Sequence, residues 1–292
     1  MASLSPTVIL CVACASSFSF LLGYDIGIMS GAKRLISRDF ELQEAQVSLL
    51  VGILNLVSGP GGLLSGRIAD TLGRRCTAAV ACAITLAGSL IMASSPDFTI
   101  LFFGRVVTGV GVGACFHIAP LYLAEIAPKR IRGALMSFFD LFINIGILAG
   151  YIIGWALSPA AGGTAAGDRA WRTMLGLGAV PPALILLALA WLPESPRFLV
   201  ATGRENDAST VLHSIYSADE AGATLSTLQA ERHDSKPLTL CAGLRRVFLP
   251  ARGAPRMAII GGIGVAFCQQ ATGVEAAVYY TPETLEAAVP QC

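Results

Sequence analysis

Seven stretches of this sequence contain no Asp, Glu, Lys or Arg and are long enough to cross a bilayer. They run over residues 1–24, 45–66, 76–96, 106–124, 141–167, 173–193 and 257–274. A spanning helix needs about 20 mostly apolar residues, because the hydrocarbon core is roughly 30 Å thick and a helix rises about 1.5 Å per residue. The pattern predicts seven spanning helices. Span 1 should run past Asp25 to about Ser30, span 4 should start near Asp97 and enclose Arg105, and span 7 should reach about Tyr280.

Composition agrees. Charged residues make up 13% of the 292, against roughly 25% in a soluble domain, and apolar residues make up 54%. An apolar, nearly neutral chain is not disordered. A net charge of +1 leaves no basic footprint for nucleic acid. The first 24 residues lack the positive start and the clear cleavage site of a signal peptide, so they read as a first span.

Lys and Arg set the orientation. With the N-terminus inside, the loops 66–75 and 123–133 hold six of them and the long loop 194–256 holds eight, against five in the outer loops. The N-terminus is therefore read as cytoplasmic, and seven spans put the C-terminus outside. The chain divides into a six-span bundle (1–193), a cytoplasmic linker with short helices (194–256) and one further span (257–292). Cys11 and Cys14 form a C-x-x-C inside an apolar helix with no second ligand pair, so they read as packing residues. The glycine run 109–113 follows no strand and is not a nucleotide loop.

Charges inside the apolar segments are costly to bury and need a partner or a watery cavity. Asp25 in span 1 and Arg105 in span 4 are one acid and one base that can neutralise each other. With Asp25 ionised the arginine holds it; with Asp25 protonated the pair is released, which makes it a device for coupling to protons. A static pair that only fixes packing is the competing reading, placed second. Asp140, near the inner end of span 5, is equally an interfacial carboxylate or a functional one. His117 in span 4 reads as a packing residue. At the cytoplasmic ends, Gly66 to Arg75, Pro120 to Gly133 and Pro193 to Arg197 each carry acid and base, and together they suggest an ion network that holds one conformation. Gln269 and Gln270, adjacent amides in an apolar helix, suit a polyhydroxylated ligand that both donates and accepts hydrogen bonds.

The blocks GYDIGIMSGA (23–32), GRIADTLGRR (66–75), GRVVTGVGVG (104–113), PLYLAEIAPKRIRG (120–133), PESPRFL (193–199) and QQATGVEAAVYYTPE (269–283) resemble, in order and spacing, the sugar-porter branch of the major facilitator superfamily. Within it the sequence looks most like plant polyol and monosaccharide transporters. The resemblance implies an all-α membrane protein: the N-terminal six-helix bundle, linker helices and the first helix of the C-terminal bundle. It implies that Asp25 accepts the coupling proton with Arg105 as its partner. Gln269, Gln270 and Glu275 would contact substrate, and Tyr279 and Tyr280 would form a gate. Gly66, Asp70, Gly73, Arg74, Arg75, Glu125, Arg132, Glu194 and Arg197 would form a cytoplasmic latch.

Some positions depart from the family pattern. Thr71 stands where the latch motif usually has a basic residue, and Glu275 where polyol porters carry Asp. Ile147 replaces a sugar-binding Gln of many hexose porters, which argues against hexose-type recognition. The family has twelve spans and this sequence reads as seven. The expected function is proton-coupled polyol or monosaccharide symport by alternating access, with no cofactor beyond the proton and no enzymatic activity. The expected location is the plasma membrane, with the vacuolar membrane as the alternative. A transport-inactive half-transporter, or a regulatory partner of a full-length porter, is the competing expectation.

Overall fold

The structure is a computed structural model. It describes residues 6–128, 131–158, 170–216, 218–234, 254–273 and 277–281. Helices account for its regular structure, and no strand occurs among the described residues. Five long helices come first: α1 (Pro6–Asp39), α2 (Glu44–Leu72), α3 (Arg74–Ala93), α4 (Phe98–Ile126) and α5 (Arg132–Ala156). A sixth span is built from two shorter pieces, α6 (Ala170–Leu177) and α7 (Val180–Ala188). Then come α8 (Pro196–Ala201), α9 (Glu205–Ile215), α10 (Ala218–Asp234) and α11 (Ala254–Ala271).

Local chemistry sets the breaks. Gly73 takes φ 92°, a left-handed value that only glycine adopts easily, and it ends α2 and starts α3 in one residue. Asp97 caps α4 by accepting the Ile100 N–H at 2.9 Å. The sixth span breaks at Gly178–Ala179, because Pro181 and Pro182 lack N–H groups and suit only the first turn of a new helix.

Among the described residues, six helical segments are long and apolar enough to cross a membrane: α1 to α5 and the joined α6–α7. Their limits differ from the charge-free stretches. α1 continues to Asp39 and buries Lys33, and α5 begins at Arg132 and ends at Ala156, not at residue 167. Counting charge-free residues trims a helix wherever it carries a charge, and a helix of about 50 Å like α1 tolerates charges near its end. The expected seventh span corresponds to α11, which is not among the six. It carries Arg256 in its first turn and Gln269 and Gln270 in its last.

The chain forms two compact units, Met1–Leu228 and Gln229–Cys292. In the first, α1 packs along α5, and α4 packs along both α2 and α3. Glycines make these seams. A Cβ at Gly23 or Gly27 would strike the Ile143 and Ile147 carbonyls of α5, and one at Gly113 would strike the Ser58 carbonyl of α2. Close backbone approach of this kind is how helices associate where water cannot drive them together. The core joins Val8, Phe18 and Leu21 of α1, Ala78 and Cys82 of α3, and Val112, Ile118 and Tyr122 of α4. Large apolar side chains such as Leu63, Trp155, Leu187 and Trp191 point outward, as a lipid-facing surface requires.

Helices α8 to α10 form a small cluster at the Arg-rich end of the first unit. Leu199, Val200 and Ala208 are its buried centre, while Ile215 of α9 joins the main core. Tyr216 packs there too, and burial pushes its hydroxyl above the usual tyrosine range. The expected linker helices beyond residue 234, up to 253, lie outside the described residues.

Candidate functional site

Asp25 of α1 and Arg105 of α4 meet in the interior of the first unit. Arg105 is fully buried, and its Nη1 donates to both carboxylate oxygens, at 2.7 Å to Oδ1 and 2.9 Å to Oδ2. One nitrogen therefore holds the whole carboxylate. The Nε and Nη2 groups find no hydrogen-bond partner among the described residues. A fork-to-fork pair would use two parallel bonds and hold more tightly. This single-nitrogen contact leaves two donors able to take the carboxylate in another orientation. Beside Asp25, Tyr24 donates its hydroxyl to the Met174 carbonyl at 3.0 Å, tying α1 to α6.

A second cluster sits where α2, α3, α4 and α8 converge. Arg74 is its hub. Its Nε and Nη2 donate to the two oxygens of Glu125, each at 2.9 Å, and its Nη1 donates to the Ala69 carbonyl at 2.9 Å. Asp70, mostly exposed, adds a contact at 3.3 Å one turn before it. Glu194 accepts the backbone N–H groups of Arg74 at 2.9 Å and Arg75 at 3.2 Å, capping α3 where its dipole is positive. Arg75 donates to the Ala190 carbonyl at 2.9 Å.

Of the residues expected in this latch, Asp70, Arg74, Arg75, Glu125 and Glu194 come together. Gly73 supplies the turn, and a side chain there would collide with Glu194. Gly66 faces His117 instead, which lies against the α2–α4 seam with its Nδ1 3.3 Å from Ser65 Oγ. Arg132 is apart from the hub: its Nη2 reaches only the Ala127 carbonyl, at 3.4 Å. Arg197 is exposed. Asp140 is exposed on α5, about two turns after Arg132.

Three members escaped the sequence reading. Ser195 caps α8 and bonds Glu125, Tyr122 donates to the Pro193 carbonyl at 2.7 Å, and Phe198 lies 5.7 Å from the Arg74 guanidinium. Ser195 followed by Pro196 was a helix-start signal that could have been read.

The expected substrate residues belong to the second unit. Gln269 and Gln270 lie in the last turn of α11. Glu275 lies outside the described residues. Tyr279 is buried and Tyr280 exposed, as adjacent residues of a helical stretch point to different sides. Cys11 and Cys14 are buried in the core, with Cys11 Sγ 3.6 Å from the Tyr122 hydroxyl. No group of three His, Cys, Asp or Glu side chains is placed to hold a metal among the described residues.

Six apolar spans among the described residues, the buried Asp25–Arg105 pair and a charged knot at one end are the features of an integral multi-pass membrane protein built like a transporter. The chain belongs to the sugar (and other) transporter family, whose profile matches residues 11–291. It is 40% identical to Polyol transporter 5 of Arabidopsis thaliana over 95% of its length and 53% of that protein's. It is 38% identical to Probable polyol transporter 4 of the same plant, over 96% and 52% of the two chains. It thus spans about half the length of the curated relatives it matches. Its fold is that of the major facilitator superfamily. The proton:xylose symporter XylE of E. coli superposes with a TM-score of 0.83 at 24% identity, over 95% of this chain and 62% of that one.

Proposed function

We propose that this chain serves proton-coupled symport of a polyol or monosaccharide by alternating access. The observation that carries the reading is the fully buried Arg105 holding Asp25 through one nitrogen. A passive carrier has no need of a titratable carboxylate in its interior, and such groups in membrane proteins mark ion and proton pathways. The polyol relatives and the proton:xylose symporter support the substrate class and the coupling ion.

In this reading Asp25 takes a proton from outside and loosens Arg105. Gln269, Gln270 and Glu275 bind substrate hydroxyls, and Tyr279 and Tyr280 close over them. The Arg74–Glu125–Glu194 knot holds the cytoplasmic side shut and opens in the other state. The plasma membrane is the proposed location.

The test is uptake of sorbitol, mannitol, inositol and hexoses into vesicles carrying the 292-residue chain, with and without an inward proton gradient. Gradient-driven accumulation that Asp25→Asn abolishes, with exchange of substrate retained, is the expected result. Accumulation that survives Asp25→Asn would overturn the coupling role. A chain that gives no uptake, yet alters uptake by a co-expressed full-length relative, would fit the second reading: a regulatory partner with no transport of its own.

A further inference from the structure

A small cavity lies beside Asp25, between α1, α3, α4 and α6. Tyr24, Asp25, Thr85, Ser89 and Thr108 supply its polar wall, and Met92 and Leu175 are among the apolar residues that close it. It offers about 10 Å³ to the centre of a water molecule, room for one.

The hydroxyls around it are unusually arranged. Thr85 donates to the Ala81 carbonyl and Thr108 to the Gly104 carbonyl, each at 2.9 Å. Both spend their proton on the backbone and keep lone pairs for a donor from the cavity. Ser89, one turn beyond Thr85, is only 3% exposed, and its hydroxyl bonds no protein atom among the described residues. A buried hydroxyl without a partner costs free energy unless water completes it.

We propose that this cavity holds one water that hydrogen-bonds the Asp25 carboxylate and is held by Ser89, Thr85 and Thr108. The water donates one hydrogen to Asp25, shares the other between the Thr85 and Thr108 oxygens, and accepts from Ser89. These partners satisfy a buried water. The three hydroxyl residues are then positioning residues for the proton on Asp25, because they fix a water that favours its ionised form. Among the described residues, Tyr24 of α1 and Arg105 of α4 are the titratable or charged groups placed against Asp25. α3 brings hydroxyls and Met92 to this cavity, and α6 and the turn after it bring Leu175 and Gly178.

This inference rests on the reading of Asp25 as the proton site, and infrared spectroscopy separates the two. The 292-residue chain in lipid vesicles is titrated between about pH 4 and 9, and the carboxyl band lost in Asp25→Asn is assigned to that residue. Ser89→Ala and Thr85→Val are close in shape to the originals. Each should move the C=O stretch of protonated Asp25 to higher wavenumber, since it loses a hydrogen bond. Each should also raise the titration midpoint by about half a pH unit, roughly threefold in proton affinity, the size expected for one bond lost by the carboxylate. A titrating Asp25 band that neither substitution moves overturns the water site alone. No titrating Asp25 band at all overturns the proton-site reading and the water site with it.

Discussion

Arg74 and Glu125 meet fork to fork, with both N···O distances 2.9 Å, and fasten the start of α3 to the end of α4. Both side chains are more than nine-tenths buried. Removing one partner from a buried pair strands the other charge, which typically costs about 3–5 kcal/mol. Arg74 keeps Asp70 and the Ala69 carbonyl, so Glu125→Ala is expected at the lower end, near 3 kcal/mol. Denaturant unfolding in detergent measures it. Arg74→Lys should lose stability as well, because an ammonium cannot make the double bond.

The interior pair behaves differently. Asp25→Asn leaves Arg105 charged and fully buried, and Arg105→Gln leaves Asp25 alone beside the cavity. Changing both removes the mismatch. A double-mutant cycle on unfolding should therefore show a coupling of about 1–3 kcal/mol, with the double variant more stable than the two single losses predict. Strictly additive losses would contradict the contact seen between them.

Helix seams give a contrast in sign. Gly113→Val would drive a side chain into the Ser58 carbonyl and should force α2 away from α4, sharply lowering the yield of folded protein in detergent. Gly222 lies exposed in α10 with open space around it. Gly222→Ala should stabilise the chain by up to about 1 kcal/mol through helix propensity.

Packing of α3 against α4 follows an antiparallel register. Gly88 lies on Thr108, Gly111 lies on Thr85, and one turn further Cys82 faces Cys115. Both thiols are buried, so a water-soluble alkylating reagent should leave them unmodified in the folded protein and modify both after denaturation. Peptide mapping reads the difference. Rapid labelling of either thiol in the folded protein would contradict this seam.

The membrane class and the helix count of the first unit were legible because lipid allows few charges, so absent charges mark the spans. Their limits were not. α5 carries Arg132 and Asp140, and α1 carries Lys33 and Arg34 within its last two turns. The kink of the sixth span was written in Gly178, Pro181 and Pro182 but hidden inside one apolar run. Asp25 and Arg105 could be paired on paper because two isolated opposite charges in apolar helices have few other partners. The manner of their meeting could not, since which guanidinium nitrogen is used depends on side-chain torsions. Thr85, Ser89 and Thr108 gave no warning either. Hydroxyl residues in helices usually bond their own backbone, and only the fold shows that Ser89 does not.

The interior pair also has an electrical consequence. With Asp25 ionised, its charge and that of Arg105 cancel. Protonating Asp25 leaves a net charge of +1 on the pair. A membrane voltage acts on that charge with up to about 2.3 kcal/mol per 100 mV if it crosses the whole field. Because Asp25 and Arg105 belong to the same packed unit, any motion of that unit carries the charge along with it. In the symport proposed above, an interior-negative potential draws the protonated form inward, and turnover is then sensitive to voltage as well as to pH.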